Sequence, residues 1–158
     1  MPIARSFAAA FLTLTLCAAG PVPSFTLKKL DGTAFRLEEH LKKQIIVLDF
    51  WATWCGPCTK SLKKLQELQV KFPQVLVAAV ATDDGRTMAQ VEPYVRGRGF
   101  TFTVLLDPEA NVCRVYNPGG GIPYTVVIDR QGTMAYEHSG YLPGDELALF
   151  AAVAKLHP

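Results

Sequence analysis

Hydrophobic and polar positions along the chain follow two patterns, one typical of strands and one typical of helices. The strand-like pattern is the clearer of the two. Residues 24–36 alternate apolar and polar positions on both sides of an Asp-Gly pair, which is typical of a short β-hairpin. Largely apolar runs at 44–51, 75–81 and 101–106 are instead typical of strands buried on both faces of a parallel sheet. The sequence therefore predicts a hairpin followed by three core strands.

Helical periodicity occupies the segments between and after these strands. Between residues 57 and 71 apolar side chains recur every three or four positions with lysines on the opposite face, which predicts an amphipathic helix. A second helix is predicted over 87–98, kinked or restarted at Pro93, because proline lacks the backbone N–H that a helix interior needs. Further helices are predicted over 109–116 and 145–156.

The last two predicted strands, 124–128 and 133–138, flank an Asp-Arg-Gln-Gly turn and should form an antiparallel hairpin. Strands that alternate with helices pair in parallel and carry helices on both faces, whereas a closing hairpin adds antiparallel strands. The predicted fold class is therefore α/β, with a central mixed β-sheet between helices.

The first twenty residues differ from the rest of the chain. Arg5 precedes an uncharged apolar run at 7–16, and small residues around Ala19 follow it, as in a secretory signal peptide. We therefore expect residues 1–20 to be a signal peptide and residues 21–158 to be one folded domain. An uncleaved membrane anchor is the alternative, although the apolar run is short for a membrane span.

Composition narrows the class of protein further. Of the 158 residues, 49% are hydrophobic and 19% are charged, as in a globular domain rather than a disordered chain. The net charge is only +2 at pH 7, and no basic stripe with interleaved aromatic residues occurs. Nucleic acid is therefore not an expected partner.

Chemistry is concentrated in the segment 50–58, Phe-Trp-Ala-Thr-Trp-Cys-Gly-Pro-Cys. Cys55 and Cys58 stand one helical turn apart, directly after a predicted strand, so they can close a small disulfide and open it again. The N-terminus of the following helix favours a thiolate at Cys55, which predicts that Cys55 is the nucleophile and Cys58 the resolving thiol. Pro57 fits the first helical turn, and Gly56 allows close approach of a partner chain.

Zinc binding is the main alternative for a pair of cysteines at this spacing. A zinc site needs two further ligands, and neither a second Cys-x-x-Cys nor a paired histidine motif is present. The remaining cysteine beyond residue 20 is Cys113, which lies in a predicted helix. We expect it to be a buried apolar residue, with a third exchange-active thiol as the alternative.

Two motifs together resemble the thioredoxin superfamily. The first is Trp-Cys-Gly-Pro-Cys, and the second is Gly-Ile-Pro-Tyr-Thr at 121–125. The resemblance implies a thioredoxin-like fold in which Pro123 is a cis-proline that faces the disulfide. It also implies that Ile122 pairs through its backbone with a bound substrate chain.

Within this superfamily, the chain resembles the TlpA/ResA-like group over residues 22–156. The export-type N-terminus, the N-terminal hairpin and the long interval between Cys58 and Pro123 carry this resemblance, which implies an inserted helix–strand unit. The group is made up of exported thiol–disulfide oxidoreductases. The resemblance implies a periplasmic or extracytoplasmic monomer that reduces cysteine pairs of exported proteins, as in cytochrome c maturation. A membrane-embedded thiol reductant would recycle it, and neither a metal nor an organic cofactor is expected.

Two more residues are candidates for the site. Asp49 lies on the strand before the cysteines and resembles the buried aspartate of classical thioredoxin; burial should raise its pKa, so it could accept the Cys58 proton. Its alternatives are a solvent-facing position and an ion pair with a lysine such as Lys60. Trp54 is expected to pack beside the disulfide and to form part of the partner-binding surface.

Two other activities occur on the same fold and remain open. A peroxiredoxin-like peroxidase needs a threonine three positions before its reactive cysteine, where this chain has Ala52 and places Thr53 one residue later. A copper chaperone would bind the metal with Cys55, Cys58 and a histidine before the cis-proline. The chain has no histidine in that loop, and His138 lies beyond it.

Overall fold

The computed structural model describes residues 20–157, which form one seven-stranded mixed sheet with helices on both faces. The predicted signal peptide lies outside the described residues, apart from Gly20. Within 20–157 no helix has the length and apolar character needed to cross a bilayer. The strands are β1 Thr26–Lys29, β2 Ala34–Arg36, β3 Ile46–Trp51, β4 Leu76–Ala81, β5 Thr103–Leu106, β6 Tyr124–Ile128 and β7 Met134–Ser139. The helices are α1 Gly56–Lys71, α2 Val91–Gly97, α3 Asn111–Tyr116 and α4 Asp145–Leu156.

The strand order is β2-β1-β5-β4-β3-β6-β7. The three core strands β3, β4 and β5 pair in parallel, as their apolar runs predicted. Both hairpins are antiparallel, and each joins the parallel core through an antiparallel pairing, β1 with β5 and β6 with β3. Because α2, β5 and α3 all lie between β4 and β6, the stretch between Cys58 and Pro123 contains the additional helix and strand that the resemblance implied.

Two apolar layers cover the sheet. On one face α1, α2 and α4 pack against alternate residues of the strands, including Val47 and Trp51 of β3. On the other face α3 and the N-terminal segment cover the intervening residues, among them Leu48 and Phe50. Since successive residues of a strand point to opposite faces, Asp49 lies on the α1 side together with Val47 and Trp51.

Helix boundaries differ from the predicted ones where proline and aspartate set the local geometry. The segment predicted as a helix over 87–98 consists of a short 3₁₀ turn, Met88–Gln90, and α2, so the restart falls at Val91 and Pro93 lies in the first turn. The helix predicted from residue 109 begins at Asn111, where the Asp107 carboxylate accepts hydrogen bonds from backbone N–H groups.

Candidate active site

The cysteine pair lies where β3 passes into α1. Cys55 is the N-cap residue of the helix, and Cys58 lies in the first turn. The two sulfurs form a disulfide, with 5.3 Å between the Cα atoms. The backbone N–H of Cys58 donates to the Cys55 Sγ at 3.3 Å, so the helix N-terminus is directed at this sulfur. A thiolate at Cys55 would gain the same hydrogen bond, together with the favourable end of the helix dipole.

The two cysteines differ in their access to solvent. Cys55 retains 6% of its surface, whereas Cys58 is completely buried. Beside Cys55, Trp54 is 65% exposed, an unusual position for so large an apolar side chain. Trp51, by contrast, is fully buried in the core. A partner protein could therefore reach Cys55 across the exposed indole of Trp54, but not Cys58.

The loop before β6 faces the disulfide. The Ile122–Pro123 peptide bond is cis, as the resemblance implied. The Cys55 Sγ lies 3.8 Å from the carbonyl oxygen of Ile122. The loop is fixed on both sides, because the Asn117 side-chain amide donates to the Gly121 carbonyl and the Gly140 N–H donates to the Pro123 carbonyl, both at 2.7 Å.

The residues between the cysteines lie on the outer surface of the first helical turn. Gly56 and Pro57 are both exposed. A Cβ atom added at Gly56 would meet nothing within 4 Å, so the fold itself does not require a glycine there. The space over Gly56 is open to an approaching chain, which is consistent with the predicted contact with a partner.

Asp49 is the polar residue beneath the helix. It is completely buried, and its Oδ1 accepts hydrogen bonds from the hydroxyls of Thr125 at 2.7 Å and Ser61 at 3.3 Å. Burial raises the pKa of Asp49 to about 7, although both hydrogen bonds act in the opposite direction. The predicted burial is thus confirmed, and burial acts on the pKa in the predicted direction. The alternative ion pair with Lys60 is wrong: Asp49 has no ion pair within residues 20–157, and Lys60 is exposed.

The second carboxyl oxygen of Asp49 distinguishes this residue from an ordinary buried acid. Among the described residues, Oδ2 has no hydrogen-bond partner, although it is buried. A buried carboxylate oxygen without a donor is costly, which favours a proton on the group. Asp49 is thus suited to hold and release one proton near neutral pH.

Asp83 is a part of the site that the sequence analysis missed. An Asp-Asp-Gly stretch after a strand is typical of a solvated loop or a helix cap, but Asp83 is completely buried. Its carboxylate accepts from both the backbone N–H, at 2.9 Å, and the hydroxyl of Thr53. Thr53 precedes Cys55 by two residues, so Asp83 ties the loop that bears the nucleophilic sulfur to the end of β4.

Cys113 lies on the opposite face of the sheet from Asp49. It is 5% exposed, and burial, assisted by the nearby Asp107 carboxylate, raises the pKa of its thiol. It belongs to the apolar cluster on that face, which also contains Phe50, Tyr116 and Tyr124. This confirms the predicted buried position. A raised thiol pKa makes an exchange-active role unfavourable.

These features define a class of protein. A disulfide at a helix N-terminus that faces a cis-proline loop, beside interior strands of a mixed sheet, is the arrangement of the thioredoxin-like thiol–disulfide oxidoreductases. A family model of the AhpC/TSA family matches residues 19–137, and the chain belongs to that family.

Individual relatives agree with this class. The thiol–disulfide oxidoreductase ResA of Geobacillus kaustophilus is 30% identical over 138 residues, which cover 87% of this chain and 78% of the relative. The thioredoxin-like protein YneN of Bacillus subtilis is 30% identical over 127 residues, covering 79% and 73%. A Chlorobium tepidum structure assigned provisionally as the thiol:disulfide interchange protein DsbE is 29% identical. It has a TM-score of 0.79 and covers 87% of this chain and 96% of its own.

The resemblance drawn from the sequence is therefore confirmed. The chain has the thioredoxin-like fold and is a thiol–disulfide oxidoreductase. Proteins of this activity act on cysteine-containing protein substrates.

Proposed function

We propose that this protein is an exported reductant of protein disulfides, with Cys55 as nucleophile and Cys58 as resolving thiol. The observation that carries the assignment is the asymmetry of the pair. Cys55 accepts a hydrogen bond from the helix N-terminus and retains a surface, whereas Cys58 has none. Only a thiolate attacks a disulfide, so the stabilised sulfur of the residue that retains some accessible surface is the one suited to begin the reaction.

The proposed reaction has two displacements. The Cys55 thiolate attacks one sulfur of a partner disulfide, and the other partner sulfur leaves as a thiolate and takes a proton from solvent. The Cys58 sulfur then attacks Cys55, the bond between Cys55 and the partner breaks, and the second partner sulfur leaves. The protein becomes the disulfide and the partner becomes the dithiol, so two electrons pass from protein to partner.

Asp49 is the proposed base for the second displacement. Cys58 must lose its proton to attack, and no solvent reaches it directly. Asp49 lies beneath the same helix, held by Ser61, one turn after Cys58 on the buried face of α1. With a pKa of about 7, Asp49 can take up a proton at neutral pH, whereas an ordinary aspartate is too weak a base.

The partner is proposed to bind across Trp54, Gly56, Pro57 and the Ile122–Pro123 loop. The exposed indole of Trp54 offers apolar contact, and the open space over Gly56 admits an extended chain. Export is supported by the signal-like residues 1–20. By resemblance to the ResA-like proteins, the substrates would be cysteine pairs of exported proteins such as apocytochrome c, and a membrane-embedded thiol donor would regenerate the dithiol.

The reduction potential of the Cys55–Cys58 pair tests the direction of electron flow. The domain would be equilibrated with dithiothreitol or glutathione buffers and its thiols counted by alkylation. We expect a value near or below roughly −220 mV, in the range of the dedicated reductants. A value near −120 mV, typical of strong oxidants, would reverse the proposed direction.

Trapping experiments test the division of labour between the cysteines. Cys58→Ser should accumulate mixed disulfides with partner proteins through Cys55, because the resolving thiol is missing. Cys55→Ser is the matched control and should accumulate none. If Cys55→Ser traps partners and Cys58→Ser does not, the two roles are reversed.

The two other activities considered for this fold have less support. For a peroxidase, position 52 is alanine, and the hydroxyl of the neighbouring Thr53 is engaged by Asp83 rather than directed at Cys55. For a copper chaperone, His138 is paired with Asp145 at 3.0 Å. Within residues 20–157 no three His, Cys, Asp or Glu side chains are grouped as metal ligands.

A further inference from the structure

A polar row crosses the sheet from the buried acid to the surface. In the strand register Asp49 of β3 lies opposite Thr125 of β6, and Thr125 lies opposite His138 of β7. Directly opposed residues project from the same face of a sheet, so all three lie on the α1 side. Asp49 is completely buried and Thr125 nearly so, whereas the His138 side chain is 36% exposed. The row therefore links the inside of the protein to solvent.

A small cavity adjoins this row. Its volume is about 10 Å³, and its lining includes both hydroxyls that donate to Asp49, those of Ser61 and Thr125, as well as His138 and Asp145. A cavity of this size that several polar groups line can hold about one water molecule. The two hydroxyls that contact the Asp49 carboxyl and the His138 imidazole therefore line one cavity.

The other titratable groups around the cavity are unsuited to exchanging protons near neutral pH. Lys64 of α1 has a raised pKa because Glu67 accepts a hydrogen bond from it, and burial raises the pKa of Tyr136 on β7. Burial also raises the pKa of Tyr141 to about 12, and backbone hydrogen bonds lower the pKa of Glu146 on α4.

His138 has the appropriate chemistry, since an imidazole ring can both accept and donate a proton. Its Nε2 lies 3.0 Å from the Asp145 carboxylate, which would stabilise the protonated ring. Asp145 is itself fixed, because it accepts a hydrogen bond from the Leu142 N–H at 2.7 Å, and its pKa is lowered chiefly by that bond.

We propose that His138, held by Asp145, is the surface end of a proton relay that serves Asp49. The inference rests on the proposed role of Asp49 as base for Cys58. When Cys58 attacks Cys55, its proton passes to Asp49, while the partner sulfur leaves with the electron pair of the broken S–S bond. The proton then moves through the Ser61 or Thr125 hydroxyl and a water in the cavity to His138, which releases it to solvent. When the disulfide is reduced again, a proton moves along the same path in the opposite direction, from solvent through His138 to Asp49.

The relay can be tested by chemical rescue in single-turnover kinetics. Reduced protein would be mixed with oxidised glutathione, and formation of the Cys55–Cys58 disulfide followed at low buffer concentration across pH 6–9. We expect His138→Gln to slow this step about fivefold or more, and added imidazole to restore it, because a small base replaces the missing proton carrier. Asp49→Asn should slow the step about 100-fold, without rescue.

Two further variants isolate the effect. His157→Gln removes a histidine at the end of α4, away from the row, and should keep the wild-type rate with and without imidazole. Asp145→Asn keeps a side chain of similar shape but removes the charge, and should slow the step less than His138→Gln does, again with rescue by imidazole. If His138→Gln disturbs the fold, the rate of the Asp145→Asn variant still tests the relay.

The outcomes distinguish failure of the proposed His138 relay from failure of the proposed role of Asp49 as base. If both His138→Gln and Asp145→Asn react at the wild-type rate while Asp49→Asn is slow, the relay is wrong and Asp49 remains the base. A slow His138→Gln variant that imidazole does not restore would make His138 a structural residue, which also overturns the relay. If Asp49→Asn reacts at the wild-type rate, the proposed role of Asp49 fails, and the relay fails with it.

Discussion

The two faces of the sheet differ in the side chains that strand β3 buries on them. On the α1 face, Asp49 lies in the core without an ion pair among the described residues, and its two hydrogen-bond partners line a water-sized cavity. On the α3 face, the next residue, Phe50, packs against Tyr116 and Tyr124 with ring centroids 5.8 and 6.3 Å away. Two neighbouring residues of β3 therefore have different roles: Asp49 belongs to a site that can bind and release a proton, and Phe50 belongs to an aromatic core on the closed α3 face.

The difference shows that one strand can place a reactive residue on one face of the sheet and stabilising core residues on the other. Because side chains alternate between faces, a destabilising acid on one side need not disturb the packing on the other. Cys113 illustrates the closed side, since it is a thiol in the same protein as a redox pair but lies within the apolar layer. We therefore expect changes on the α3 face to alter stability, and changes on the α1 face to alter proton chemistry.

The largest expected effect is on the closed face. Phe50→Ala should lower the free energy of unfolding by about 3–5 kcal/mol, because a fully buried aromatic side chain is replaced by a cavity. Urea denaturation measures this, and the rate of disulfide exchange by the remaining folded protein should change less than about twofold, because Phe50 and Asp49 project from opposite faces of the sheet. A large loss of exchange activity in folded Phe50→Ala would contradict the separation of the two faces.

The second expected effect concerns Asp49 and pH. Its pKa is about 7 when folded, against a reference value of 3.8, so the folded state binds more protons than the unfolded state between these values. Stability contributed by protonated Asp49 is therefore present at low pH and lost as pH rises toward 7. Relative to Asp49→Asn, the wild-type unfolding free energy should fall by up to about 4 kcal/mol between pH 4 and pH 8.

Asp31 supplies a control of opposite sign. It is exposed, and hydrogen bonds from the Thr33 hydroxyl and N–H lower its pKa. Stability from this group is present above its unfolded pKa and lost as pH falls, so the wild type should gain stability over Asp31→Asn as pH rises. Denaturation curves at several pH values measure both differences. The same slope for the Asp49 and Asp31 variants would show that Asp49 is not the buried acid described.

Local sequence signals were sufficient for much of this site. The Cys-x-x-Cys spacing, the apolar run before it and the amphipathic run after it placed the disulfide at a strand-to-helix junction, where the structure has it. The predicted bounds of α4 agree with the structure, because its helical pattern begins directly after a proline-glycine stretch. Each of these features depends on residues close together in the chain.

What escaped prediction depends on strand register. Asp83 gives no local sign of burial, because an Asp-Asp-Gly stretch is typical of an exposed loop. Its partner Thr53 lies 30 residues away and becomes adjacent only because β3 and β4 pair in parallel. Likewise, nothing near His138 in the sequence indicates that it lies two strands from Asp49. A single sequence fixes the alternation within a strand, but not which residues of different strands meet.

A smaller effect is expected when one of the two hydrogen bonds to Asp49 on the α1 face is removed. Thr125→Val removes the 2.7 Å hydrogen bond to Asp49, and that bond lowers the acid's pKa. The pKa of Asp49 should therefore rise further, by ~1 unit, because a hydrogen bond to a charged group contributes about 1.5–3 kcal/mol and Ser61 remains as a second donor. Titration of the Asp49 carboxyl carbon by NMR measures the change. A fall in the pKa would mean that Thr125 does not stabilise the carboxylate.

The smallest expected effect is that of Cys113→Ala on the closed face. The thiol is buried and its pKa is raised, so iodoacetamide should label it slowly in the folded protein, and at the ordinary thiol rate only after unfolding. Its removal should cost about 1 kcal/mol in stability, since one small group leaves the core, and should leave the exchange rate unchanged. Labelling followed by mass spectrometry, with Cys55 and Cys58 in their disulfide, isolates this thiol. Rapid labelling of folded Cys113 would place it among the reactive thiols, and the α3 face would then not be chemically closed.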